Sequence, residues 1–294
     1  MSEKRNIPFA EVKRDCGCAS DCCAPETASV ATETIPEGAD VRSVVRERYG
    51  AAAKGEASSC GCCDGPADPE AVLAAIGYSA DQAAAIPEGA NLGLGCGNPV
   101  AHAALKPGEV VLDLGSGAGI DCFLAAREVG PTGRAIGVDM TPAMLERARA
   151  TQAKAGITNA EFRLGEIEHL PVADASVDAI ISNCVVNLSP DKPQVFREAL
   201  RVLRPGGRLV VSDLVLTRPL PPEVRKNVAL YVGCVAGALH EAEYLGLMRE
   251  AGFASVEVIE RRGYTVGMER LAPGTPELEA FHSVVSVKVR ATRA

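Results

Sequence analysis

The 294-residue sequence predicts an α/β fold: a Rossmann-like, doubly wound parallel sheet with helices on both faces. Three observations carry that expectation. From about residue 91 onward, short apolar segments of strand length alternate with segments of helix length. The first apolar segment runs straight into a glycine-rich turn, Gly115-Ser116-Gly117-Ala118-Gly119. The second closes on an acidic residue, Asp139.

The elements follow in order. A strand is expected over Glu109 to Leu114, then a helix from Ile120 to Val129, then a strand from Arg134 to Val138. A helix from Pro142 to about Ala155 has Thr141 as its expected N-cap. Strands at Ala160–Leu164 and Val177–Ser182 precede a helix over Pro190–Leu203, capped by Ser189 with proline in its first turn. Pro205-Gly206-Gly207 turns the chain into a strand at Arg208–Asp213. Beyond Leu216 the pattern loosens into helical stretches near 222–236 and 241–251, then strands at Ser255–Glu260 and Ser283–Arg290. Right-handed crossovers are expected throughout the parallel part.

Upstream the texture differs. Residues 1–40 are rich in Ala, Gly, Ser, Pro and Glu and form a Cys-rich extension expected to be mobile. Residues 41–90 form a helical segment, with one helix near 41–54 and another over 68–86 opened by Asp68 and Pro69. The domain plan is therefore 1–40 extension, 41–90 helical segment, 91–216 core, and 217–294 cap with the last sheet strands.

Composition narrows the function. A net charge of -8 provides no basic surface for nucleic acid. No apolar run reaches spanning length, and Met1-Ser2-Glu3-Lys4-Arg5 opens no signal peptide, so a cytoplasmic protein is expected. Eleven cysteines in that compartment point to metal, metalloid or redox use rather than to a disulfide framework. Seven of them fall within the first 63 residues: Cys16, Cys18, Cys22, Cys23, Cys60, Cys62 and Cys63. The first four fit metalloid capture, an all-cysteine zinc site or a plain extension alike. Cys122, between apolar neighbours on a helix, reads as a small buried hydrophobe. Cys184 and Cys234 instead fall beside the expected ligand cleft. His102, His169, His240 and His282 are isolated and form no catalytic arrangement.

In a doubly wound sheet the ligand lies outside the carboxyl ends of the strands. The loop glycines allow a close approach of backbone to ligand. A dinucleotide fingerprint would need glycine at position 120, where Ile120 stands, and Asp113 just before the loop disfavours a pyrophosphate. Asp139 is placed to accept hydrogen bonds from a ribose.

Val111-Leu112-Asp113-Leu114-Gly115-Ser116-Gly117-Ala118-Gly119, Val138-Asp139-Met140 and Leu203-Arg204-Pro205-Gly206-Gly207-Arg208 resemble the class I S-adenosylmethionine-dependent methyltransferases. Within them, four further motifs are similar to those of the arsenite methyltransferases, over roughly residues 42–294. These are Gly93-Leu94-Gly95-Cys96-Gly97-Asn98-Pro99, Gly165-Glu166-Ile167-Glu168, Ile181-Ser182-Asn183-Cys184-Val185-Val186-Asn187-Leu188 and Gly233-Cys234-Val235-Ala236-Gly237-Ala238.

The resemblance implies roles. Asp113, Gly115 and Gly117 would hold the methionine part of S-adenosylmethionine, Asp139 the ribose, and Met140, Glu166 and Ile167 the adenine. Asn183 would face the methyl-donor end. Cys96, Cys184 and Cys234 would bind As(III), a soft ion suited to thiolates. Cys96 and one of Cys60, Cys62 and Cys63 would join a redox step, reset by glutathione or thioredoxin. The implied substrate is arsenite or its thiol conjugate, and the implied state a monomer. A carbon or oxygen methyltransferase of quinone or sterol type would need a large apolar cavity, against which 4% aromatic content weighs. A metalloid-sequestering protein would not need the Asp113, Gly115, Gly117 and Asp139 set.

Overall fold

A computed structural model describes residues 34–56, 69–265 and 273–294 of the chain. Seven strands form one sheet: β1 (Val110–Leu114), β2 (Arg134–Asp139), β3 (Ala160–Leu164), β4 (Val177–Asn183), β5 (Leu203–Leu216), β6 (Ser255–Gly263) and β7 (Val284–Thr292). Their spatial order is β3-β2-β1-β4-β5-β7-β6. The first five pair in parallel, and β7 inserts antiparallel between β5 and β6. The order therefore reverses between β1 and β4, and a doubly wound sheet opens its ligand crevice at that reversal.

Burial explains the central strands. Val111, Leu112, Leu114, Ile180, Ile181, Leu209 and Val210 are all fully buried. A parallel strand covered by helices on both faces reads as a continuous apolar run rather than an alternating one. One face packs on Phe196 and Tyr244, whose rings meet edge to face at 5.5 Å. The other packs on Phe123 and Phe162, likewise edge to face at 5.4 Å.

The helices are α1 (Val41–Lys54), α2 (Pro69–Ile76), α3 (Ala80–Ala85), α4 (Val100–Ala103), α5 (Ile120–Val129), α6 (Pro142–Ala155), α7 (Lys192–Val202), α8 (Pro222–Arg225), α9 (Val228–Val232), α10 (Glu241–Glu250) and α11 (Pro276–Phe281). Several differ from the sequence expectation. The helix expected over 68–86 is two, because Gly77 turns left-handed at φ 103° and Ser79 starts α3 with a reciprocal cap to Gln82. Helix α7 begins at Lys192 rather than Pro190, and its cap is Asp191, which accepts the Gln194 N–H at 3.0 Å. The Ser189 hydroxyl donates to Glu168 at 2.5 Å and accepts the Asp191 N–H at 3.1 Å, so it orders the turn before α7. Thr141 precedes α6 but makes no side-chain cap bond.

Pro205-Gly206-Gly207 does not interrupt the sheet. It is absorbed in β5 as an irregularity, with pairing shifting from Val177↔Leu203 to Ala179↔Arg208. The stretch 222–236 divides into α8 and α9 and ends before Cys234. The end of the expected mobile extension is docked: Thr34 bridges Asn227, and the Ile35 N–H donates to Lys226 O at 2.8 Å.

Phe196→Ala should cost about 3–5 kcal/mol of unfolding free energy, because a fully buried ring leaves a cavity between α7 and the sheet. Urea denaturation followed by circular dichroism measures it; a loss below about 1 kcal/mol would contradict this packing.

Candidate active site

Three carboxylates converge at the crevice. Asp113 lies one residue from the end of β1, Asp139 ends β2, and Asp121 sits in the first turn of α5. All three line one cleft. Asp113 is 3% exposed, and its Oδ2 has no hydrogen-bond partner among the described residues. Burial pushes its carboxyl well up, with the charges of Asp121 and Asp139 adding to the effect. Asp121 accepts the Tyr78 hydroxyl at 2.7 Å and the Asn183 amide at 3.0 Å. Its pKa is still pushed up to about 6, chiefly by burial. Asp139 accepts the Gly117 N–H at 2.9 Å and the Thr141 N–H at 2.8 Å, and burial raises it too. Asp139 thus ties the glycine loop to the turn that leads into α6.

The loop glycines act differently. Gly115 has φ 66°, and a Cβ there would lie 2.3 Å from Val185 Cγ2, so any side chain would displace the segment after β4. At Gly117 a Cβ would make only an ordinary contact, with Met144 Sδ at 4.0 Å, but the residue needs its left-handed φ of 52°. Met140 and Ile167 line the cleft as expected. Glu166 does not: it turns to Arg42 of α1, at 2.9 Å, and its neighbour Glu168 lines the wall instead.

Cys184 belongs to both the cleft and a second, apolar compartment. Cys96, Cys184 and Cys234 are 3, 8 and 3% exposed and share a cluster with Leu188, Leu214, Leu230 and Phe281. The Cys96 and Cys184 sulfurs and an Asp213 carboxylate oxygen all lie within 4.8 Å of one another. Cys234 lies outside that group, and its thiol donates to the Cys184 carbonyl at 2.7 Å. The third position of the close triangle is therefore Asp213, with Cys234 beside it. Asp213 is fully buried, accepts the Leu214 N–H at 2.9 Å and the Tyr244 hydroxyl at 3.1 Å, and is pushed up to about 7 by burial. Burial raises the Cys96 thiol and takes Cys184 well higher, its neighbouring thiols adding to the rise.

Cys184 and Cys234 both have left-handed backbones, φ 58° and 65°. For a residue with a Cβ that conformation costs about 1–2 kcal/mol. Cys184 turns left-handed directly after β4, its N–H bonded to Ser212 O at 2.8 Å. Cys234 does so after α9, held by its N–H to Tyr231 O at 2.9 Å and by Asn187, whose amide donates to its carbonyl at 3.3 Å. Cys122 is fully buried within α5, as expected. Cys16, Cys18, Cys22, Cys23, Cys60, Cys62 and Cys63, with the Asp68 cap, lie outside the described residues.

Sequence reasoning passed over Asp121, Asp213, Glu168 and Tyr78. Two of these carried a signal: Asp121 is an acidic residue in the apolar first half of its helix, and Ser212-Asp213 interrupts the apolar run of β5. No such signal marks Tyr78, whose partner Asp121 is distant in sequence.

The strand order and the carboxylate-lined cleft at its reversal define a class I methyltransferase domain, and residues 105–252 match the family model described as a methyltransferase domain. An arsenite methyltransferase of Halobacterium salinarum is 52% identical over 230 residues, 74% of this chain and 59% of that protein. One from Aquipseudomonas alcaligenes is 43% identical over 60% of this chain and 53% of its own length. The chain thus spans little more than half of these curated relatives. The crystal structure of an arsenic(III) S-adenosylmethionine methyltransferase from Chlamydomonas reinhardtii superposes with TM-score 0.58 at 35% identity, covering 78% of this chain and 74% of that one. The chain belongs to the arsenite methyltransferase family.

A cation bound in the cleft favours the charged form of Asp121, so the complex has a lower Asp121 pKa than the free protein. Protonation of Asp121 should therefore weaken affinity for S-adenosylmethionine as the pH drops through about 6. Calorimetry in two buffers of different ionisation enthalpy should detect proton release in that window. Affinity and proton count that stay constant between about pH 5 and pH 8 would contradict it.

Proposed function

We propose that the chain transfers the methyl group of S-adenosylmethionine to trivalent arsenic held by its buried cysteines. The observation that carries this reading is the shared position of Cys184, which borders both the carboxylate-lined cleft and the thiol compartment. Family membership supports both the cofactor and the arsenical substrate.

The cleft suits a cationic cofactor. The unpartnered Asp113 oxygen is a buried acceptor awaiting a donor, which the ammonium of a methionine moiety would supply. Gly117 lines the cleft without a side chain, so the ligand can approach its backbone closely. Asp139 keeps acceptor capacity beyond its two backbone bonds, enough for a ribose hydroxyl. Met140 and Ile167 supply an apolar wall for the adenine. When bound, the cofactor supplies an electrophilic methyl group on a sulfonium.

Arsenic enters by ligand exchange. A cysteine S–H meets an As–OH, the As–S bond forms, and the hydroxyl leaves as water with the thiol proton, so no thiolate need form beforehand. The raised thiols of Cys96 and Cys184 fit that route. Thiol-conjugated arsenite enters in the same way, with the carrier thiol leaving. The arsenic lone pair is the nucleophile, so the protein needs no base for the transfer; its residues act by positioning and by excluding water. Methylation leaves arsenic formally pentavalent. Two electrons return it to the trivalent state, and closing one disulfide between two thiols delivers two electrons and two protons. Cys96 with Cys60, Cys62 or Cys63 is the proposed pair, and glutathione or thioredoxin reopens it.

Purified protein incubated with arsenite, S-adenosylmethionine and glutathione should yield methylated arsenic on speciation by chromatography and mass spectrometry. Cys184→Ser and Cys234→Ser should each abolish it. Stoichiometric arsenite binding without methylated product would favour sequestration over catalysis.

A further inference from the structure

Asn183 is the last residue of β4, and its side chain does not simply face the cleft. Its Oδ1 accepts the Cys96 backbone N–H at 3.1 Å. Its Nδ2 lies 2.7 Å from Gly97 O, 3.0 Å from Asp121 Oδ2 and 3.0 Å from the Tyr78 hydroxyl. The partners fix the orientation of the amide, because the Cys96 N–H can only donate and Gly97 O can only accept. One side chain thus pairs with the N–H and C=O on either side of the Cys96 residue, much as a neighbouring strand would.

The flanking glycines belong to this fit. Gly95 has φ 119°, and a Cβ on it would lie 3.0 Å from Asn183 Nδ2. A Cβ on Gly97 would lie 1.8 Å from Ser212 Oγ. The loop carrying Cys96 can press onto the ends of β4 and β5 only because neither neighbour has a side chain. Ser286 Oγ donates to Cys96 O at 2.9 Å, which fixes the other side of the same residue.

Cys184 follows Asn183 directly. The end of β4 therefore sets Cys184 through the backbone and Cys96 through the Asn183 amide. We propose that Asn183 is a positioning residue that fixes the gap between the Cys96 and Cys184 thiols, and is not primarily a ligand of the cofactor. The inference rests on the arsenic-binding reading for its purpose, but its geometry stands without arsenic. Tyr78 and Asp121 act as the backstop: they hold the amide in place from the side of the cofactor cleft, so the thiol gap is registered to the wall that binds the methyl donor.

Two measurements on the full chain test this, and the first needs no arsenic. Iodoacetamide alkylation of the reduced protein is followed for each cysteine by peptide mass spectrometry. In Asn183→Ala, Cys96 alkylation should rise roughly tenfold while Cys184 and Cys234 stay within about twofold, as loss of a buried hydrogen-bond pair to one loop requires. Asn183→Gln should not restore the wild-type rate, because its longer stem moves the amide away from the loop. The second measurement is binding. Arsenite affinity should fall roughly tenfold in Asn183→Ala, with S-adenosylmethionine affinity within about threefold of wild type. An equal rise in alkylation at all three cysteines would mean general loosening and overturn the proposal. Unchanged Cys96 alkylation with weakened cofactor binding would return Asn183 to the cofactor. Failure of arsenite to bind the wild type, with the alkylation result intact, would count against the arsenic reading and leave the thiol geometry standing.

Discussion

The carboxyl end of β4 is the constraint on which the rest of the site depends. It lies beside the reversal of strand order, where the sheet opens, and it delivers Asn183 and Cys184 to the two compartments at once. Parallel pairing with β1 on one side and β5 on the other fixes its position, since Ser182 is in register with Leu114 and Asn183 with Ser212. Everything chemical is referred to that end. Asp113 comes from β1, Asp213 from β5, and the Cys96 loop is drawn onto it by an amide.

The site is assembled at a cost in stability. Burying Asp113, Asp121, Asp139 and Asp213 disfavours their charged forms, and raised values follow, to about 6 for Asp121 and about 7 for Asp213. A carboxyl whose folded value lies above the unfolded one makes the folded state hold more protons, so its contribution to stability declines as the pH rises between the two values. Two left-handed cysteines add strain of the kind that persists only where the surrounding structure enforces it. The apolar sheet core around Phe196, Tyr244 and Leu112 supplies the burial that holds these features in place. A cationic ligand in the carboxylate cleft would relieve part of that cost.

Much of this was legible in the sequence. The parallel strands are apolar runs bounded by turns, and the element order from β1 to β5 follows from them. The loop glycines, Asp113 and Asp139 could be named from their places at strand ends and Cys184 and Cys234 from their places beside the expected cleft, whereas Cys96 was named by the family resemblance alone. What the sequence could not show was side-chain direction. Glu166 and Glu168 stand two apart, and only the ion pair to Arg42 on a distant helix decides which of them reaches the cleft. Asn183 reads as a cleft residue by its place after β4, while its amide is taken up by a loop far upstream. Asp213 was passed over although the strand expected over Arg208–Asp213 closes on it; β5 in fact continues to Leu216, so its carboxyl is buried within the sheet. Ser189 does accept a backbone N–H, from Asp191, but the helix starts two residues later, where Asp191 is the cap.

The central claim is that arsenic is bound by the thiols gathered at the end of β4. X-ray absorption at the arsenic edge, on the full chain loaded with one equivalent of arsenite, tests it most directly. The account predicts a first shell containing at least two sulfur scatterers in the wild type and at least one fewer in Cys184→Ser. An oxygen-only shell, or a sulfur count unchanged by that substitution, would contradict it.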